Sequence, residues 1–495
     1  MLAKENEWMN HLNIIDKYVD VNSIFNKSLG EMYAPLLNSF TDDGAIPYLI
    51  GTNCRYRASP LASIIIWMSM ENLIPSSVTE ELCEMLIYLR DNSIKESDEG
   101  RTSKNSEDIY GWSLAEGASV WSTSMAIIAL LSSNSNISKF ANEIKNSVIW
   151  LTNQNDDSVI GWGYQLSQNC SPNPIMSSLA IQALALALNK CNESCLDFSS
   201  DDKKMIRKAI SEGLNYLKRS CDKKGNMVFW KFAEKPSCHA TTWALLAFKI
   251  ASEVNETFSD DCAKYFQINK EPVLAFLISQ IPTKGKWEDE PLVEEDGAKY
   301  DKHKHYIAYT PTLFPQLFDL GLSPFHPKVI SQISWLVTNK DKWTIEKYDK
   351  TKFCSFTYAM VLSTIVSWIR RVGTECAKSI LSPNNWIDKI SIWLFGYKTS
   401  GFNTIQIVKR KRILFFLMIA IIGCLLLFFG QEINDLIRKL SQKIVSVWVS
   451  SETDRHDISI NLVASGIWTS GVFVFAKIIS FFYQIIEKIL NNLSK

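Results

Sequence analysis

The sequence predicts an all-α protein: an (α/α)6 toroid of six helical-hairpin repeats followed by C-terminal membrane helices. Three features predict it. Two classes of helical pattern alternate along the first 380 residues, a tryptophan recurs at their junctions, and two long apolar runs close the chain. One class of helix carries a charged stripe and suits a surface, whereas the other is apolar nearly all round and must be buried. Concentric inner and outer rings satisfy both demands, and a linear solenoid would instead show polar capping repeats at its ends.

The elements follow in order. Pro60–Met70 is the first apolar helix and Glu81–Arg90 an amphipathic one, with apolar residues at helical spacing. After Gly111-Trp112 come apolar Val120–Leu131 and amphipathic Ile144–Gln154; after Gly161-Trp162 come Ile175–Leu188 and Ile206–Arg219. The looser Gly225–Trp230 stretch precedes His239–Ile250 and Val273–Gln280. Gly285-Lys286-Trp287 precedes Thr312–Leu320 and Val329–Asn339, and Asp341-Lys342-Trp343 precedes Ser355–Ile369. These tryptophans are expected to fill gaps between helices, with each indole N–H bonded to a neighbouring backbone.

Hydropathy rises abruptly after Lys409-Arg410-Lys411-Arg412. Ile413–Phe429 holds no charge and no proline, and at ~1.5 Å per residue it spans about 26 Å, enough to cross a bilayer core. A second run, Ile458–Ile486, is interrupted by Lys477, which must face a partner helix, a wet cavity or the interface. Gly466 and Gly471 give it a small-residue face suited to helix packing and hence to a homo-oligomer. The domains are therefore a toroid over 1–380, a juxtamembrane segment over 381–408, a transmembrane helix over 409–430, an amphipathic stretch over 431–457 and a second transmembrane helix over 458–486. The basic cluster before the first span places the toroid in the cytosol, with the chain integral to the cytoplasmic (inner) membrane.

Composition narrows function. The chain has 52 basic and 52 acidic residues, 46% hydrophobic and 21% charged, which excludes a disordered or collagen-like protein and argues against a nucleic-acid binder. The 11 cysteines form no C-x-x-C pair and there is no N-terminal apolar core, so reduced thiols in a cytosolic compartment are expected.

The run Trp150-Leu151-Thr152-Asn153-Gln154, then Gly161-Trp162-Gly163 and the small-residue helix Ser177-Ser178-Leu179-Ala180-Ile181-Gln182, resembles repeats of the terpenoid cyclase and protein prenyltransferase superfamily. The likeness covers about residues 40–375 as a repeat pattern. It implies the toroid, with a substrate cavity at the starts of the inner helices. The superfamily's Asp-x-Asp-Asp acid is not found at any inner-helix start, and no acidic pair continues as D-D-x-x-D. Asp42-Asp43, Asp156-Asp157, Asp201-Asp202 and Asp260-Asp261 read as loop or helix-capping residues. The prenyltransferase zinc site has a partial echo in Cys238, His239, His303 and His305, but its Asp-x-Cys spacing is missing, so no cofactor is expected and zinc is the alternative.

Catalytic residues are not legible. Cavity candidates near inner-helix starts are Glu116, Tyr164, Gln165, Lys231, Cys238, His239, His303, His305, Tyr306 and Tyr348, with Tyr309 and Lys352 beside them. An acidic and basic loop over 288–305 could form a charged rim or a solvated insertion. Expected partners are the lipid bilayer and a small-molecule, lipid or peptide ligand in the cavity. Two functions stand side by side. One is a noncatalytic binding or sensing toroid coupled to a membrane hairpin, resembling antiphage effectors that permeabilise membranes. The other is a divergent terpene cyclase or prenyltransferase acting on a membrane isoprenoid lipid.

Overall fold

The computed structural model describes residues 4–25, 27–40, 58–96, 110–112, 118–133, 137–153, 161–163, 171–193, 196–232, 234–283, 310–339 and 354–381, with 46, 50, 285 and 287. The chain divides into two units, Met1–Val408 and Lys409–Lys495, and the described residues all belong to the first. Both apolar runs, with Lys477, Gly466 and Gly471, lie outside them. One described helix, Pro174–Asn192, is long and apolar enough to cross a membrane, but 83% of its apolar window is buried inside the protein.

The described unit is helical apart from one small sheet. Its helices are α1 (Glu5–Val19), α2 (Asn22–Phe25), α3 (Leu29–Leu37), α4 (Ala58–Met70), α5 (Ser76–Glu96), α6 (Val120–Ser132), α7 (Ala141–Asn153) and α8 (Pro174–Asn192). They continue as α9 (Ser200–Ser220), α10 (Cys238–Glu253), α11 (Ser259–Gln280), α12 (Phe314–Asp319), α13 (Pro327–Thr338), α14 (Ser355–Val372) and α15 (Thr374–Leu381). Strands β1 (Cys221–Lys224), β2 (Met227–Phe232) and β3 (Lys235–Ser237) form an antiparallel sheet in that order, with Trp230 paired to both Cys221 and Ser237.

The apolar helices find one another. α4 packs on α6, α6 on α8, α8 on α10 and α14 back on α4, while the 3-10 turn Thr310–Leu313 touches both α10 and α14. That circuit is closed. Its fifth member differs from the predicted Thr312–Leu320 helix: it is a 3-10 turn followed by the six-residue α12, because Pro311 and Pro315 withhold backbone donors that a continuous helix would need. The amphipathic helices pack outside, α5 on α4, α7 on α6, α9 on α8 and α11 on α10. In α9 and α11 each helix extends further toward the N-terminus than its periodicity suggests. Ser199 and Asp202 form a capping box for α9, and Asp260 and Asp261 occupy the first turn of α11.

A tryptophan latch recurs at the junctions. The indole Nε1 of Trp112, Trp162 and Trp230 donates to Leu86 O at 2.8 Å, Leu151 O at 3.0 Å and Leu217 O at 2.8 Å, each on the preceding outer helix. Each tryptophan's backbone N–H donates to a hydroxyl one turn into the next inner helix: Thr123 at 2.9 Å, Ser177 at 3.0 Å and Thr241 at 3.0 Å. The inner helix is capped by Ser119, Asn173 or Ser237 four residues before that hydroxyl. The junction is thus bonded on both sides and buried. Gly161 adopts φ +110°, and a Cβ on Gly213 would lie 2.5 Å from Trp162 Cζ3, so both glycines are required by the close fit. Trp287 is buried with its backbone N–H on Gln332 Oε1 at 3.2 Å, and Trp343 lies outside the described residues.

Candidate functional site

The inner helices bring aromatic side chains together across the ring. Trp121 of α6 and Trp243 of α10 meet with ring centroids 5.5 Å apart, although α8 stands between these helices in the circuit. Gln182 of α8 donates its Nε2 to Trp243 O at 3.1 Å, and Trp243 Nε1 donates to Gln316 Oε1 of α12 at 3.2 Å. His239, one turn before Trp243, is fully buried and lies edge-on to it at 5.5 Å. Trp67 of α4 and Met360 of α14 form a second cluster, separate from the main core, with Phe356 against it. Each of these residues sits on an inner element, so the ring's interior is furnished with indoles, a thioether, two amides and an imidazole.

Hydroxyls dominate the remaining polar groups there. Ser122, Thr123, Ser124, Ser177, Ser178 and Thr241 are buried near inner-helix starts, as are Ser355 and Thr357 in α14. Among the described residues the only buried carboxylate is Glu71, beyond the C-terminal end of α4. It is spoken for: Arg370 Nη1 and Arg371 Nη1 reach its two oxygens at 3.3 and 3.4 Å, and Arg371 Nη2 also holds Asp319 at 2.8 Å. Arg370 further donates to Glu71 O. This cluster ties α14 to α4 and α12 and so closes the ring. Tyr358 OH donates to Met32 O at 2.6 Å, and Tyr33 OH lies 3.4 Å from Ser363 Oγ, which fastens α3 to the same helix. Burial pushes the Tyr358 hydroxyl up to about 12, and that of Tyr33 higher still.

Of the sequence-predicted cavity residues, three are described. Lys231 lies on β2 and pairs with Asp222 at 3.1 Å, half exposed, so it serves the sheet. Cys238 and His239 open α10, both buried, and His239 alone joins the aromatic interior. Glu116, Tyr164, Gln165, His303, His305, Tyr306 and Tyr348, with Tyr309, Lys352 and the 288–305 loop, lie outside the described residues. Two of the four residues of the zinc alternative are therefore placed. No group of three or more His, Cys, Asp or Glu among the described residues could hold a metal. Trp67, Trp121, Trp243, Gln182 and Gln316 were missed by sequence reasoning. Their signal was available, because a large aromatic or an amide on a helix with no polar face has to point somewhere.

A separate cavity of about 350 Å³ lies where α1 meets the α14–α15 corner, lined by Ile15, Tyr18, Val19, Ile369, Arg370 and Thr374. None of the sequence-predicted residues lines it.

No protein-family model and no curated protein matches the chain. Among solved structures, the chain is similar to type II terpene cyclase MstE from Scytonema in its apo form: 12% identical, covering 71% of this chain and 99% of that one, with a TM-score of 0.41. A variant of that enzyme in complex with its substrate geranylgeranyl dihydroxybenzoate is 11% identical, covering 74% and 99%, with a TM-score of 0.42.

Proposed function

We propose that the ring receives an apolar, isoprenoid-type chain and that its chemistry is cyclisation or prenyl transfer on a membrane-borne lipid. The observation that carries the reading is the interior itself. Indoles on α4, α6 and α10 offer flat apolar surface to a hydrocarbon, and their π faces stabilise positive charge developed on it. The apolar runs within 409–486 would hold the ring beside the membrane that supplies such a lipid.

The described interior lacks a strong acid. A cyclase that starts by protonating an alkene needs a carboxyl held in its protonated form, and the one buried described carboxylate is committed to two arginines outside the aromatic interior. A second reading, in which the ring binds the lipid without converting it and reports to a membrane hairpin, rests on the apolar runs that follow the ring in the sequence. A step from there to antiphage defence has only the order of segments in the sequence behind it.

Incubating the purified full chain with labelled farnesyl and geranylgeranyl diphosphates and squalene, with magnesium and zinc present, separates the readings. Conversion supports the enzyme. Retention of label without conversion supports the receptor. Failure to retain any of the three contradicts both.

A further inference from the structure

We propose that the β-hairpin ahead of α10 is a docking element for an anionic lipid surface. The chain as a whole is neutral, yet residues 218–236 carry six cations against two anions. Two of the cations are occupied: Lys218 lies over the Tyr265 ring at 5.7 Å, and Lys231 pairs with Asp222. The other four, Arg219, Lys223, Lys224 and Lys235, are exposed and make no ion pair among the described residues. Lys223, Lys224 and Lys235 stand on the small sheet beside the single exposed carboxylate Glu234, and Arg219 lies at the end of α9 just before it.

That element is rigidly mounted and stands clear. Its inner side is fixed by Phe229 stacked on Phe276 of α11 at 4.9 Å and by the Trp230 latch to Leu217. At its tip Gly225 takes φ +60°, and nothing lies within 4 Å of where its Cβ would be. Lysines on edge strands also discourage strand pairing, but Arg219 belongs to α9 and not to the sheet. The occupant is chosen by charge and by the rest of the chain. A run of apolar residues preceded by Lys409–Arg412 places the protein at a cytosolic leaflet, which is negatively charged and attracts each basic side chain within a Debye length. The inference rests on that anchoring reading for its choice of surface.

Amide hydrogen exchange of the full chain, with nanodiscs of phosphatidylcholine alone or with about one-third phosphatidylglycerol, tests it. Residues 221–232 should exchange at least tenfold more slowly with the anionic discs, and 0.5 M salt should abolish the difference, on the order of magnitude expected when several lysines meet an anionic surface. The K223E/K224E variant should lose the protection and K223R/K224R should keep it, while near-ultraviolet circular dichroism stays unchanged in both. Equal exchange with the two discs overturns the proposal, as does protection by a short nucleic-acid duplex in place of anionic lipid. A chain that elutes apart from all discs contradicts the anchor, and the hairpin's exchange with the added discs still decides the docking.

Discussion

Two kinds of joint hold the ring together, and they differ in the polar groups that tie them. The junctions at Trp112, Trp162 and Trp230 are buried, with an indole wedged between helices and its two N–H donors met by a carbonyl and a hydroxyl. The closing joint, where α14 meets α3, α4 and α12, adds polar ties to apolar packing of Trp67 on Met360: a buried glutamate between two arginines, and two tyrosines reaching across more than 300 residues of sequence. Consecutive repeats can be joined by a motif written locally. The first and last cannot, because nothing in the order of the chain brings them together, and charges and hydroxyls add to the apolar contact where they meet.

The largest effect should come from removing a buried wedge. Trp230→Ala leaves a void among α9, α10 and the sheet and removes the indole's bond to the Leu217 carbonyl, and we expect a loss of about 3–5 kcal/mol in denaturant unfolding. The closing joint should be weaker. Glu71→Ala leaves two arginines without their buried partner, but these are about one-third exposed and water relieves them, so about 2 kcal/mol is expected. A loss as large as that of Trp230→Ala would erase the distinction between the joints. Thr241→Val is smaller again: it keeps the shape but leaves the Trp230 backbone N–H unpaired, for about 1–2 kcal/mol in the same assay.

The pH response sharpens the contrast at the tyrosines. A free tyrosine titrates near 10, whereas burial raises Tyr358 to about 12 and Tyr33 further. Because the folded values lie above the unfolded ones, the stability that these hydroxyls contribute is whole below pH ~10 and is lost as pH rises toward 12. Thermal unfolding should therefore hold level from pH 7 to 9 with respect to these groups and fall above 10. Tyr358→Phe should cost about 1 kcal/mol at neutral pH, through the lost bond to Met32, and flatten the alkaline fall.

Much of this architecture was legible in sequence for a physical reason. A helix such as Val120–Ser132 or Pro174–Asn192 has no polar face, so its burial follows from composition alone, and Gly161-Trp162 marks its junction because only glycine takes that φ. The β-hairpin over Cys221–Phe232 shows in sequence only as a loose tryptophan repeat at Gly225–Trp230. Its alternation is short, and the pairing of Trp230 with Ser237 is visible only once the chain folds back. α1, with Trp8 donating to Leu73 O, carries no junction signal in sequence, since its pattern is amphipathic and lacks the glycine-tryptophan pair. The interior was harder still. Reading polar residues near helix starts singled out Lys231, which serves the sheet, and passed over Trp121 and Trp243, which meet across a helix that the sequence places between them. Convergence of side chains from α6, α8, α10 and α12 is a property of the closed circuit, and no local pattern encodes it.

Native mass spectrometry of the full chain extracted gently from membranes asks directly whether the aromatic interior holds a lipid. The account predicts one isoprenoid-type molecule per ring, retained by the native chain and lost from a Trp121→Ala, Trp243→Ala double variant that still folds. A ring that leaves the membrane bare, or carries the same lipid after both indoles are removed, would contradict it.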